Sequence, residues 1–282
     1  MDIEFARTLV TVVEAGSFLG AAERLNVTQS TVSARIKELE NQLGRQLLDR
    51  GRHGAKPTPA GQQFLRHAGV LVRVWQQARQ ELSLPDEVTQ VLNIGAQVSL
   101  WDSLMSESLG WLRTNRPEIA IRAELASSEI LMRQISDGTL DIAVLYSPQS
   151  GPGLVVHQIL DDRLVLVSNR ADHPPEPEAD YVFCDWGLEF RTAHAVAFPD
   201  AEAPALTVGA GTVGLAHVLD FGGAVYVPER LAKPFLDNGQ VFVVDDAPAF
   251  HHPAYVVHPR RDPDDLIHAV AASIMEIARR GT

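Results

Sequence analysis

The sequence holds one cysteine, Cys184. No disulfide within the chain can therefore support the fold, and a reducing compartment is expected. No apolar run approaches the roughly 20 residues that cross a bilayer as a helix. The opening residues Met1-Asp2-Ile3-Glu4 carry acids where a secretory signal needs a basic region and then an apolar one, so a cytoplasmic location is expected. Positive charge is scarce: 24 Lys+Arg face 36 Asp+Glu, a net charge of −12. A surface basic throughout is excluded, and any contact with polyanions must be local. No Ser-His-Asp or Cys-His arrangement can be argued from spacing, and Cys184 has no motif around it that would make it a nucleophile; no enzyme activity is expected. His251, His252 and His258 give no four-ligand set, and Pro253 interrupts them, so neither metal nor cofactor is expected. Gly209-Ala210-Gly211-Thr212-Val213-Gly214 has the G-x-G-x-x-G form after a strand, but the rest of a dinucleotide fingerprint is missing.

What is present is material for more than one module: 282 residues, 45% of them hydrophobic. Charge is distributed unevenly. Residues 1–60 carry 8 Lys+Arg and 7 Asp+Glu, while the remainder carries 16 and 29. Within 45–56, Arg45, Arg50, Arg52 and Lys56 oppose Asp49 alone. Such a run is commonly just a solvated face, but it also suits phosphate contact.

Three short helical patterns fill the N-terminal part. The first spans 3–15, with Phe5, Leu9 and Val12 on one face; Gly16 stops it and Ser17 caps a second over 18–25. Asn26-Val27-Thr28 turns the chain into a third, with an apolar stripe of Val32, Ile36, Leu39 and Leu43. Its other face offers Gln29, Ser30, Ser33, Arg35 and Lys37, with Thr28 at its start. A helix, a three-residue turn and a helix fit the helix-turn-helix plan, in which Gln29 suits adenine, Ser30 and Ser33 several bases, and Arg35 guanine or phosphate. They fit an ordinary three-helix bundle equally well. Residues 46–58 read as extended piece, glycine-rich basic turn, extended piece: a wing with Arg50, Arg52 and Lys56 along the backbone or minor groove.

The blocks Ser17–Leu25, Thr28–Ser33, Ile36–Glu40, Leu43-Gly44, Asp49-Arg50 and Thr58–Gly61 resemble, in order and spacing, the signature of LysR-type transcriptional regulators. Departures are Leu48, where the family often has Phe, and Thr31 or Ser30, where it often has Pro. The resemblance implies a winged helix-turn-helix at 1–58 that binds double-stranded operator DNA. It implies a linker helix and hinge at 59–89 and a two-lobed, periplasmic-binding-protein-like effector domain at 90–282. Lobe I would comprise about 90–161 and 259–282, and lobe II about 162–258. The fold class is thus α+β followed by α/β.

The linker pattern runs from Thr58 to about Leu84 and ends at Pro85; Phe64, Leu65, Ala68, Leu71, Val72, Trp75, Ala78 and Leu82 form its stripe. Such a stripe needs a partner, either a second copy or its own chain. The resemblance favours a homodimer, assembling further to a tetramer, with RNA polymerase a further partner. From residue 90 strands and helices alternate, the pattern of a parallel sheet covered by helices. Asn93-Ile94-Gly95, Arg116–Ile119, Leu131–Ile135, Asp137–Ala143 and Tyr226-Val227-Pro228 resemble the family's effector domain, more weakly after residue 160. Ser99-Leu100-Trp101 and Asp185–Phe190 look most like the subgroup containing the flagellar master-operon repressor.

In open α/β sheets, ligands lie beyond the carboxyl ends of the strands. That rule selects Gln97, Ser99, Leu100 and Trp101, then Ser127 and Ser128, then Tyr146, with Thr207 and Gly209 opposite, as the pocket for a small-molecule effector; the alternatives are a regulator of the same build controlled by abundance or a protein partner and, less favoured, a solute-binding protein or enzyme. The serines would serve equally as helix caps, and Trp101 and Trp186 as core.

Overall fold

The computed structural model describes residues 1–51, 54–85, 87–260 and 265–280, apart from the side chains of Arg50, Asp102 and Ser103. Of the residues expected to touch DNA, Arg52 and the Arg50 side chain lie outside that description. The chain divides into two compact units, Met1–Asp86 and Glu87–Thr282.

The first unit opens with α1 (Ile3–Ala15), α2 (Phe18–Leu25) and α3 (Gln29–Leu43). Each starts where a side chain satisfies an otherwise orphaned amide: Asp2 accepts from the Glu4 amide, Ser17 from Gly20 and Thr28 from Thr31. Leu9, Val12, Ala21, Ala22, Val32, Ile36 and Leu39 meet in one core. The antiparallel hairpin β1 (Leu48–Gly51) and β2 (Gly54–Pro57) is the expected wing. α4 (Pro59–Glu81) follows, capped by Thr58.

Phe64 and Leu65 of α4 are partly buried against the core of their own unit. Ala68 is buried as well. Of the expected α4 stripe, Leu71, Trp75 and, past the end of the helix, Leu82 are exposed, as is Val74 beside Trp75.

In the second unit β3 (Gln90–Ala96), β4 (Ile119–Leu125) and β5 (Ile142–Leu145) form a parallel sheet in the order β4-β3-β5. Between β3 and β4 a short 3-10 turn (Val98–Leu100) and one π turn (Trp101–Met105) precede α5 (Ser106–Asn115); α6 (Ser128–Asp137) connects β4 to β5. β6 (Leu154–Ser168) then crosses into the second lobe, where β7 (Tyr181–Cys184), α7 (Leu188–Ala197), β8 (Leu206–Val208), α8 (Gly211–Phe221), β9 (Ala224–Pro228), α9 (Glu229–Asp237) and the short β10 (Phe242–Val243) follow. β8, β7 and β9 are parallel, and β9 lies antiparallel to β6. β11 (Phe250–Pro259) returns alongside β6 from Leu164 to Leu154, and α10 (Leu266–Arg280) follows.

β6 is a single strand of 15 residues, and the register of β11 shifts between Ala254 and Tyr255. From Tyr255 to Val257 β11 also pairs with β5. One continuous apolar core runs from Leu92 and Ile94 through Leu164 and Val167 to Val225 and Tyr226.

Candidate functional site: an inter-lobe cleft and a displayed helix

A cleft of about 810 Å³ opens between the lobes of the second unit. It is assembled mainly from residues that follow strands: Gln97 after β3, Ala126–Ser128 after β4, Tyr146 and Ser147 after β5, Asp185–Gly187 after β7 and Gly209 after β8. Parallel strands end on one side, so five such ends converge without any motif being required.

Six of the nine expected pocket residues line this cleft: Gln97, Ser99, Ser127, Ser128, Tyr146 and Gly209. Three do not. Leu100 is fully buried in the core. Trp101 packs against that core and donates its indole N–H to the Ala96 carbonyl at 3.2 Å. Both displacements follow from the tight 3-10 and π turns, which re-aim side chains relative to a regular helix. Thr207 sits within β8, one residue short of its end, with its side chain exposed.

The serines decide between capping and lining. Ser127, at the cap position of α6, makes no side-chain cap bond, and the hydroxyl of Ser128, the first residue of the helix, donates to Gln97 Oε1 at 2.7 Å. The same oxygen accepts from the Tyr146 amide at 2.7 Å. Gln97 thereby joins the ends of three strands, and Ser127, Ser128 and Glu129 at the start of α6 line the cleft. The N-termini of α7 and α8, at Gly187 and Ala210, also lack side-chain caps. Glu129 and Asp185 add negative charge to the lining; Arg191 spans Asp185 at 2.7 and 2.8 Å.

Beneath the cleft lies a network that sequence reading missed. Arg230 of α9 holds Asp162 of β6 with two bonds, Nε to Oδ1 at 2.7 Å and Nη2 to Oδ2 at 2.9 Å. The same Nη2 reaches the Ser99 carbonyl at 2.7 Å and the Tyr146 hydroxyl at 2.9 Å. Tyr146 donates to Asp162 at 2.7 Å; burial, then the Asp162 charge, push its phenol well above the ordinary range. His252 of β11 stacks on Tyr146 with ring centres 4.0 Å apart, and Trp186 meets both edge-on. The Trp186 N–H donates to the Tyr226 carbonyl at 2.9 Å.

The glycine motif at 209–214 serves this packing. A Cβ on Gly211 would lie 2.6 Å from the Trp186 ring, and one on Gly214 2.9 Å from Val225. Cys184 is buried, which pushes its thiol up to about 12 and leaves it no nucleophilic role.

Burial lowers the His252 imidazole to about 4, and the nearby Arg230 charge adds to this while Asp162 and Asp161 oppose it. A folded value below the unfolded 6.5 means that the unfolded chain takes up the proton first. This contribution to stability is therefore present above pH 6.5 and lost as pH falls towards 4, at up to about 1.4 kcal/mol per pH unit. Chemical unfolding between pH 7 and pH 4.5 should show a flatter profile for His252→Phe than for the wild type; equal slopes would remove His252 from the account.

On the first unit, Gln29, Ser30 and Lys37 are exposed on α3, Ser33 is half-buried, and Lys56 is exposed on β2. Thr28 is occupied by its cap and by the hydroxyls of Ser30 and Thr31 at 2.8 and 2.9 Å. Arg35 departs from the expectation that it projects outward. Its guanidinium turns back to α1, 3.3 Å from Glu4 Oε2 and 3.4 Å from Thr8 Oγ1.

Comparison with known proteins agrees with both units. Residues 3–62 match the bacterial regulatory helix-turn-helix protein, lysR family, and residues 85–279 match the LysR substrate binding domain. The HTH-type transcriptional regulator HdfR of Yersinia enterocolitica is 30% identical over 268 residues, covering 91% of this chain and 90% of that protein. Among solved structures, CbnR, a LysR family transcriptional regulator, superposes with a TM-score of 0.70 at 17% identity, covering 100% of this chain and 99% of that one. DarR of Vibrio fischeri, solved in complex with DNA, gives 0.61 at 19%, with 98% of each chain covered. The chain belongs to the LysR family of DNA-binding transcriptional regulators, with an N-terminal helix-turn-helix and a C-terminal effector-binding domain.

Proposed function

We propose that this regulator reads an operator through Gln29, Ser30 and Ser33 of α3. In this reading Arg50, Arg52 and Lys56 of the wing, with Lys37, contact phosphates, and Thr28 and Arg35 hold the reading helix in place. Two chains pair through the exposed stripe of α4, so that two reading helices meet a roughly palindromic site. DNA binding responds to a small molecule in the inter-lobe cleft. The observation that carries this last point is the start of α6: Ser127, at its cap position, makes no side-chain cap bond, and Ser127, Ser128 and Glu129 line the open cavity, an arrangement suited to an anionic group on the ligand. A ligand that binds the two dispositions of the lobes unequally shifts their populations and thereby the spacing of the paired reading helices.

Selection of bound fragments from the source genome, at a stated salt concentration, tests the DNA-reading part. Fragments sharing an inverted repeat are expected. Gln29→Ala should relax preference at one base pair by about 1–3 kcal/mol. Undiminished discrimination by that variant would refute the assignment of α3. For the cleft, small carboxylates are expected to raise the melting temperature of the wild type more than that of Gln97→Ala.

A further inference from the structure

Opposite the cleft, at the other end of β7, the segment between β6 and β7 gathers three potential metal ligands. His173, Glu178 and Asp180 each place a donor atom within 4.8 Å of the others. Two of these are exposed carboxylates and would mean little by themselves. His173 is different: its side chain is fully buried, and its Nε2 has no hydrogen-bond partner. The other ring nitrogen, Nδ1, lies 2.7 Å from the Pro174 carbonyl. A carbonyl only accepts, so Nδ1 carries the proton. In the neutral ring Nε2 then presents a bare lone pair to the cluster, 3.6 Å from Asp180 Oδ1.

That separation is too long for a good hydrogen bond. It suits two ligands of one small cation: at metal–ligand distances of about 2.0–2.2 Å, tetrahedral ligands stand roughly 3.3–3.6 Å apart. An outer partner of the kind that orients metal ligands is also present. Arg170 Nη2 takes Glu178 Oε2 at 2.8 Å and Asp180 Oδ2 at 3.4 Å, while the other Asp180 oxygen faces His173. The segment is anchored at both ends. The Arg170 amide donates to Ser168 Oγ, the Tyr181 amide to the Glu178 carbonyl, and the Gly223 amide to Asn169 Oδ1. Gly223, at φ +105°, lies so close that a Cβ there would stand 2.2 Å from the Asp180 carbonyl oxygen.

We propose that His173, Glu178 and Asp180 form a binding site for a divalent first-row transition metal such as Zn²⁺ in the second lobe. One imidazole and two carboxylates suit such an ion, with water completing its coordination. The site is separate from the effector cleft, since it lies where β7 begins and the cleft lies where β7 ends.

Untagged, chelator-stripped full-length protein titrated calorimetrically with Zn²⁺ tests this, with Mg²⁺ as control. Binding of one Zn²⁺ per chain at micromolar or lower concentration is expected, with a rise in melting temperature and no response to Mg²⁺. His173→Ala, Glu178→Gln and Asp180→Asn should each weaken binding by at least about tenfold. Because His173 is buried, its variant can fail to fold; the two exposed carboxylates then decide. Zn²⁺ binding that needs millimolar metal, or that survives unchanged in Glu178→Gln and Asp180→Asn, overturns the proposal.

Discussion

Arg230→Ala is expected to lower folding stability by about 3–5 kcal/mol. The cause is what the substitution leaves behind. Asp162 is 5% exposed and would lose two charge-assisted bonds, keeping only the Tyr146 hydroxyl. The Ser99 carbonyl would lose its guanidinium donor at the same time. Exposed ion pairs elsewhere in the molecule, such as Arg133–Glu129, contribute a few tenths of a kcal/mol at most because water and salt screen them. Removing both charges together, as in Asp162→Leu with Arg230→Met, should restore most of the loss, since the cost comes from an uncompensated buried charge. Urea denaturation of the three proteins measures this directly. A loss under about 1 kcal/mol for Arg230→Ala would mean that solvent already reaches the pair.

Trp186→Ala should cost a similar amount, about 3–5 kcal/mol, by emptying a site packed against Tyr146 and His252. Trp186→Phe keeps most of the ring contact and loses the bond to the Tyr226 carbonyl, so a loss of about 1 kcal/mol is expected. Gly211 supplies a cross-check. Gly211→Ala should destabilise the wild type, where its methyl would collide with the indole, and be nearly neutral once Trp186 is alanine. Additive losses in the double variant would contradict the packing described.

The first unit was readily legible because its determinants are local. Ser17, Thr28 and Thr58 cap helices within three residues, and the Val32–Ile36–Leu39 stripe lies on one helix. The cleft was partly legible for a different reason. Once strands are placed, their ends predict the lining, which is how Gln97, Ser128 and Tyr146 were found; applied to Tyr181–Cys184, the same rule would have added Asp185 and Gly187. Thr207 lies one residue short of its strand's end and outside the cleft lining. The contacts of Arg35 were not legible because its partners, Glu4 and Thr8, lie on another helix about thirty residues earlier. Asp162 and Arg230 are 68 positions apart on a strand and a helix with no shared pattern, so only the fold brings them together. His252 adjoins His251 and so has the look of a metal ligand, although it is a ring in a stack. His173, in a proline-rich stretch, carries no signal in the sequence, because what marks it is an unpartnered nitrogen rather than a spacing.

β6 and β11 remain hydrogen-bonded to each other along the whole passage from one lobe to the other. Two separate connectors could each swivel, but a laddered pair deforms as one ribbon, and a two-stranded ribbon yields to twist more readily than to splaying. The irregularity at Ala254/Tyr255 interrupts the ladder and raises its local twist. The lobes are thus joined as by a torsion spring. In the ligand response proposed above, such a joint favours rotation of the lobes about the strand axis over their separation.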